Sequence, residues 1–541
     1  MKDHALTPLQ GRNVLCAFQP TRAVDGSASK HSTLPLMCCG RVPGVDAAGR
    51  SIIQDASRDT RKGTVMRAFG RLFLCNALAC VVLVIASASP AVGARSFEHA
   101  HPRAQNAIDD WLAAFNAGSL EGLQAFADRY AKQEGSTPKD YLDFRESTGP
   151  LSVLETLEST SSQAKLLVMG QLNERAMRVT AVMDPANPAH VKQFQIEGAE
   201  TPDKYKPARV ALPVLMADAA AKLEALRARD ALSGALQVVQ NGKVLLDWRG
   251  GDSDRTAGIP VGVDTQFRLA SSNKMFTAVA ILQLVQDGKL NLDDTIGKHL
   301  PDYPNKAVAN NVTVRHLLSH TSGLGDFFGD DFEQYSASLK TLDDYVQRFA
   351  KDAPQFAPGS QDSYSNYGFI VLGRIIEAVS GQSYYVYVQD HILRPAGMTG
   401  TGFEPEIVSV PKRAVAYTKK DGQWLRETKS LPWRGMSAGG GYSTVSDMVA
   451  FAEALRSGKL VSPVLLQQAT TAQNHKGWYG FGFVVQGEGR EHQYGHEGGA
   501  PGSNSAIVVL PAQGCVIVGL ANVDPDAIGN VVNYIARRVP L

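Results

Sequence analysis

The sequence predicts an α+β protein: a long C-terminal domain with an antiparallel sheet flanked by helices, preceded by a smaller α+β domain. Three observations carry this. Residues 236–239 and 243–248 flank Gln240-Asn241-Gly242, a hairpin signal because Asn-Gly accepts the positive φ angles of a tight turn. Close to the C-terminus, 505–510 and 515–521 are apolar runs split by Pro511-Ala512-Gln513-Gly514, a second hairpin. Helical patterns fill the space between, so the terminal strands are expected to share one sheet.

Taken in order, residues 1–65 are irregular and hold Cys16, Cys38 and Cys39. Met66-Arg67-Ala68-Phe69-Gly70-Arg71 then leads into an apolar run from Leu72 to Ile85 and the small residues Ala86-Ser87-Ala88. A basic start, a short apolar core and an Ala-x-Ala site describe a secretory signal peptide over 66–94. The run is shorter than the ~20 residues a membrane span needs, which disfavours an anchor. Export signals sit at chain starts, so Met66 is the expected initiator and 1–65 an extension annotated in error or disordered. The predicted location is periplasmic or secreted, with no stable membrane insertion after cleavage. Cys75 and Cys80 lie inside the apolar run, so cleavage would leave Cys515 alone and no internal disulfide.

Residues 98–198 read as the small α+β domain. Ile108, Trp111, Leu112 and Phe115, then Leu120, Leu123, Phe126 and Tyr130, repeat at helical spacing. After Gly149-Pro150 the pattern turns to alternation over 151–154, 165–169, 177–183 and 192–196, which reads as strands. Helices followed by strands resemble the cone-shaped NTF2-like domains placed ahead of some secreted hydrolases. No clustered His, Cys or carboxylate motif occurs there, so a structural or substrate-shaping role is expected. The Pro-, Lys- and Asp-rich stretch 199–210 reads as a linker, and 211–541 as the large domain. A formal net charge of +1 gives no reason to expect nucleic acid or an anionic membrane surface as partner.

Chemistry centres on Ser271 and Lys274. Three residues' separation places a hydroxyl and an amine on one helical face, the arrangement of a nucleophile beside its base. Ser-x-x-Lys occurs five times, at Ser27, Ser136, Ser162, Ser271 and Ser409. Only Ser271 is followed by a long apolar helical run, through Ala278, Val279, Ile281, Leu282, Leu284 and Val285. Downstream, Tyr364 in Ser363-Tyr364-Ser365-Asn366 could relay a proton, and the Asn366 amide could bind a substrate carbonyl or fix Lys274. Later still, Gln493-Tyr494-Gly495-His496-Glu497-Gly498-Gly499 reads as a strand edge whose glycines admit close backbone approach. The N–H after Gly498, with that of Ser271, would form an oxyanion hole.

The ordered set Ser-x-x-Lys, Tyr-x-Asn and His-x-Gly resembles the active-site serine family of class C β-lactamases, D-Ala-D-Ala carboxypeptidases and related esterases and amidohydrolases. Residues 314–324, Pro395-Ala396-Gly397-Met398 and 437–444 resemble the family too. The resemblance covers about Leu212 to the C-terminus and implies a β-lactamase/transpeptidase-like fold. It implies Ser271 as acylated nucleophile, Lys274 as the amine that takes its proton, and Tyr364 as general acid/base toward leaving group and water. Which of Lys274 and Tyr364 is the base stays open. Asn366 and His496 would contact substrate, with Gly498 admitting the Gly499 N–H to the oxyanion hole. No cofactor or metal is implied, and the substrate would be a small molecule or peptide. Penicillinase members often carry Lys where His496 stands. A neutral histidine is a poorer partner for a carboxylate, and Glu497 beside it would repel one, so an ester or amide substrate is expected. A class C-type β-lactamase, a D-Ala-D-Ala carboxypeptidase and a non-catalytic binder on the same fold are the alternatives.

Other motifs compete. Gly435-Met436-Ser437-Ala438-Gly439 fits a nucleophile elbow, but the polar, Pro-bearing segment before it and Gly440-Gly441 after it suggest a glycine-rich loop near the cleft. His316 and His320 stand four apart, yet without a nearby Glu or third ligand packing and capping are expected. The acidic stretch 326–333 reads as a solvated loop on the cleft rim, and Asn311-Val312-Thr313 fits a glycosylation sequon.

Overall fold

The computed structural model describes residues 103–130, 136–329, 332–420 and 422–541. The expected signal peptide and the stretch before it lie outside the described residues. Helices α1 (Arg103–Ala117), α2 (Leu120–Tyr130) and α3 (Pro138–Thr148) pack on a four-stranded antiparallel meander of β1 (Leu151–Ser159), β2 (Gln163–Gly170), β3 (Ala176–Met183) and β4 (Val191–Gly198). Trp111, Phe115, Phe126 and Phe194 meet at ring distances of 4.8 to 5.3 Å, so this domain owns a separate aromatic core. Helix α3 has too polar a sequence to read as periodic. A reciprocal capping box between Thr137 and Asp140, and Pro138 in its first turn, start it instead.

The large domain begins with α4 (Leu212–Ala228) and the hairpin of β5 (Gly234–Gln240) and β6 (Lys243–Gly250). Asn241 and Gly242 turn it at φ +49° and +79°, as the Asn-Gly pair requires. Helices α5 (Lys274–Gln286), α6 (Val314–Leu318), α7 (Asn366–Ser380) and α8 (Val445–Arg456) follow. Four strands return at the C-terminus: β7 (Val484–Gln486), β8 (Gln493–Ala500), β9 (Ser503–Leu510) and β10 (Cys515–Ala521). Helix α9 (Ala527–Ala536) closes the chain. Both terminal segments share one antiparallel sheet of order β7-β8-β9-β10-β5-β6. Ala521 pairs with Gly234 at one end of the β10–β5 seam and Cys515 with Gln240 at the other.

Alternation along the central strands sends side chains to two different cores. Ile507, Val509, Val516 and Val518 face the core built around α5, whereas Ala506, Val508, Cys515 and Ile517 face α4 and α9. Helix α5 is buried almost all round, from Lys274 through Leu282, as its uniformly apolar sequence demands. Among the described residues no helix is long and apolar enough to cross a membrane.

Where α7 crosses the segment 436–439, Gly373 is required by space. A Cβ there would lie 2.3 Å from Ser437 Oγ and 2.7 Å from Leu342 Cδ1. Gly373→Val is therefore expected to lower the urea midpoint by the equivalent of about 1–3 kcal/mol. An unchanged midpoint would show that the two segments do not touch as described.

Candidate active site

Ser271 sits in a 3-10 turn, Ala270–Asn273, that runs directly into α5, and Lys274 is the first residue of that helix. Ala270 adopts φ +45°, a left-handed conformation costly for a residue with a Cβ, immediately before the serine. The turn holds because Gly440 N–H donates to Ala270 O at 3.0 Å and Leu269 N–H to Gly441 O at 3.2 Å. Lys274 is 0 % exposed, yet its amine meets three oxygens. Nζ lies 3.3 Å from Ser271 Oγ and 2.6 Å from Asn366 Oδ1, and it also donates to Ala438 O.

Two of those oxygens can only accept, whereas the Ser271 hydroxyl can donate. A neutral amine that spends two N–H groups on Asn366 and Ala438 aims its lone pair at Ser271 Oγ. Such an arrangement can take a proton from the serine.

Each partner is delivered by a specific element. Asn366 opens α7, whose N-cap Ser365 accepts from Gly368 N–H at 2.9 Å and donates to Gly325 O at 2.7 Å. Its Nδ2 donates to Asp326 Oδ2 at 2.7 Å, which fixes the amide so that Oδ1 faces Lys274. Asn366 Oδ1 thereby holds the lysine amine. Ala438 O arrives on the glycine-rich segment pinned to α5 by Asn273 Nδ2 to Met436 O, 2.6 Å, and Thr277 Oγ1 to Ser437 O, 2.7 Å. Ser437 itself is 0 % exposed beneath α7, so the elbow-like motif supplies a carbonyl and no nucleophile.

Tyr364 lays its ring over the amine, Nζ standing 4.7 Å from the ring centre. The His320 ring packs against that of Tyr364, tilted by 36° with centres 4.1 Å apart. Ser365 N–H donates to His320 Nδ1 at 3.1 Å, so this imidazole accepts there and is neutral. Burial, then the charge of Lys274, holds its pKa well below the ordinary histidine value. His316 caps α6, exchanging backbone contacts with Thr313, so packing and capping describe both histidines.

Strand β8 completes the constellation. Gly498 approaches the nucleophile turn so closely that a Cβ would fall 2.2 Å from Leu269 O and 3.0 Å from Ser271 N. Partner strand β7 covers only residues 493–495 of β8, leaving the edge at 496–500 without a strand neighbour on that side. His496 is 4 % exposed on the α5 side. Its Nδ1 lies 2.5 Å from Glu497 O, an acceptor only, so Nδ1 carries the proton and Nε2 accepts from Tyr479 Oη at 2.9 Å. Burial, then Lys274, pushes its pKa down to about 3. Both ring nitrogens are thus engaged, and His496 is neutral and buried on the α5 side of the strand.

One expectation needs correction. Glu497 does not face the cleft. It pairs across to Ala506, whose side chain belongs to the α9 side, and binds Arg175 and Asn533 there. Asp326 is exposed, as a loop residue on the rim is expected to be, and it also binds Asn366 and accepts from Phe327 N–H at 2.7 Å. Sequence reasoning also missed Tyr479 and the Ala438 carbonyl. A lone tyrosine in Gly477-Trp478-Tyr479-Gly480 carries no motif, and a backbone carbonyl leaves no mark in a sequence.

Fold and site together define a penicillin-fold active-site serine protein. Residues 219–539 match the family model described as Beta-lactamase, and the chain belongs to that family. One relative, "Putative penicillin-binding protein PbpX" of Bacillus subtilis (strain 168), is 31% identical over 306 residues, covering 56% of this chain and 74% of the relative. The crystal structure of a penicillin binding protein from Bacillus halodurans aligns at TM-score 0.53 and 31% identity over 60% of this chain and 99% of that one. A D-stereospecific amidohydrolase from Streptomyces sp. aligns at TM-score 0.50 and 27% identity, over 59% and 97% respectively.

The neutral His496 has a thermodynamic consequence. An unfolded histidine protonates near pH 6.5 and the folded one only near 3, so the unfolded state binds the extra proton between those values. Stability from this group is complete above about pH 6.5 and is lost as pH falls toward 3, by up to ~1.4 kcal/mol per pH unit. Between pH 6.5 and 4.5 the urea midpoint of the parent is expected to fall more steeply than that of His496→Asn. Equal slopes would refute the neutral assignment.

Proposed function

We propose that the protein is an exported serine hydrolase that cleaves an ester or amide bond through an acyl-enzyme. The observation that carries this is the buried Lys274 amine, given two acceptor-only partners and Ser271 as its third. As Ser271 Oγ attacks the substrate carbonyl, its proton passes to Lys274 Nζ. The carbonyl oxygen becomes an oxyanion held by the N–H groups of Ser271 and Gly499. Each such donor contributes roughly 3–4 kcal/mol to transition-state binding. Tyr364, over the amine, passes a proton to the departing alcohol or amine and later takes one from the water that frees the acyl group.

Two features favour an ester or amide without a required carboxylate. His496 is neutral where a cation would recognise one. The Asp326 carboxylate next to Asn366 adds negative charge beside the amine. Similarity to a D-stereospecific amidohydrolase fits an amide. A β-lactamase or D-Ala-D-Ala carboxypeptidase activity is the second reading, favoured by the similarity to penicillin-binding proteins. Export rests on the signal-like segment 66–94, and N-terminal sequencing of the native protein tests it: a mature chain retaining residues before Met66 refutes it.

With p-nitrophenyl esters, D-amino-acid amides and nitrocefin as a panel, the esters or amides are expected to turn over fastest. Ser271→Ala and Lys274→Ala are each expected to lose at least ~1,000-fold in kcat/KM, and Tyr364→Phe ~100-fold or more. Ser437→Ala should stay within a few-fold of the parent. Fast nitrocefin hydrolysis would select the lactamase reading, and an active Ser271→Ala enzyme would overturn the mechanism.

A further inference from the structure

The outer face of β8 is gripped by the N-terminal domain. The turn from β2 to β3, residues 171–175, reaches the end of the large domain's sheet, where Arg175 Nη2 lies 3.0 and 3.1 Å from the two oxygens of Glu497. Asn533 of α9 donates to the same carboxylate at 2.7 Å. Two neighbours anchor the turn: Arg537 donates to the carbonyls of Asn173 and Glu174 at 3.0 and 2.6 Å, and Arg538 pairs with both Glu174 oxygens at 2.8 Å.

The turn is shaped for this contact. Glu174 adopts φ +53°, and Arg175 N–H donates to the Oδ1 of Asn173, itself only 6 % exposed. A strained non-glycine conformation persists where its surroundings over-determine it. Here the surroundings are the paired arginines that follow α9. A second set of contacts ties the linker: Arg209 donates to Glu491 and to the carbonyls of Ala536 and Val539, and Lys204 pairs with Glu155. Lys204–Glu155 lies away from β8 and joins the linker to β1.

Glu497 stands between His496, buried on the α5 side, and Gly498, packed on the Ser271 turn. Successive residues of a strand face opposite sides, so a carboxylate fixed from outside fixes the pleat of the residues facing in. We propose that Arg175 is a positioning residue for the oxyanion strand: the N-terminal domain sets the register and tilt of residues 496–499 through the Arg175–Glu497 pair. The pair is charge-assisted, with Nη2 meeting both carboxylate oxygens, and Asn533 holds the same carboxylate from α9, so its position is fixed from two elements. On this inference the N-terminal domain has no chemistry of its own and is nevertheless part of the catalytic apparatus. It deepens the hydrolase reading and rests on it.

The test uses full-length protein, a fluorophosphonate that labels an active serine, and an activated ester. Arg175→Gln and Glu497→Gln are each expected to lower the labelling rate and kcat about 10-fold with KM within two-fold, because a misplaced oxyanion donor weakens only transition-state contacts. The double variant should be no worse than either single one, and Arg175→Lys should recover part of the rate. Lys204→Ala, which removes an ion pair remote from β8, should leave both rates unchanged. Labelling of Arg175→Gln at the parent rate would overturn the proposal, as would additive losses in the double variant. An Arg175→Gln protein with a lowered unfolding midpoint but parental kcat would show a merely structural contact and equally overturn it. Failure of the parent to label at Ser271 would instead refute the hydrolase reading.

Discussion

A primary amine with no solvent exposure is the constraint on which the rest of the large domain turns. Lysine loses most of its hydration on burial, and an ammonium left alone there would cost several kcal/mol. Lys274 is tolerated because oxygens from three separate chain segments converge on it: Ser271 one turn before, Asn366 at the start of α7 and Ala438 from the glycine-rich loop. The last two are held in turn, Asn366 by Asp326 and Ala438 through Asn273 of the nucleophile turn and Thr277 of α5. The helix α5 around them is buried on every side, so the amine cannot swing outward to water. The same enclosure that makes the lysine costly makes it directional.

Strand β8 shows how a β-strand serves two purposes at once. Its inward residues supply a neutral imidazole and a glycine pressed against the nucleophile turn, while its outward Glu497 joins the arginines and Asn533 on the opposite face. Lysine at 496 would put a second buried amine near Lys274, so charge on either would be repelled by charge on the other. Histidine avoids that repulsion by remaining neutral, with Tyr479 donating to Nε2 and the backbone accepting from Nδ1. The absence of charge on His496 is thus a property of its surroundings as much as of the residue.

Much of this was legible in the sequence, for reasons that differ by element. The hairpins at 240–242 and 511–514 declare themselves because positive φ restricts which residues can sit there, and the structure has Asn241, Gly242 and Gly514 in that region. Ser271 separates from four other Ser-x-x-Lys matches because only its lysine precedes a helix that can be buried. Less was legible where a contact depends on three-dimensional neighbours. Asp326 and Tyr479 are ordinary residues in ordinary loops until α7 and β8 are placed beside them. Glu497 was misread because a strand's two faces cannot be assigned without knowing which neighbour pairs with which, and the pairing of Glu497 with Ala506 decides it.

The glycine-rich segment 435–441 carries the same lesson further. As a string of letters it offers a serine between glycines, and the serine draws attention. In the fold the glycines are what matter. Gly435 lies against Gly441, where a Cβ would come within 1.9 Å of its nitrogen, and Gly440 and Gly441 both take positive φ. That tight fold lets the chain double back beneath the nucleophile turn, present Gly440 N–H to Ala270 O, and bring Ala438 O to the lysine. Ser437 is small because α7 passes over it at Gly373. A sequence motif that resembles a nucleophile is, in this molecule, the backbone support for a different nucleophile. The physical cue is exposure: a serine that attacks a substrate must reach the cleft, and Ser437 is sealed beneath a helix.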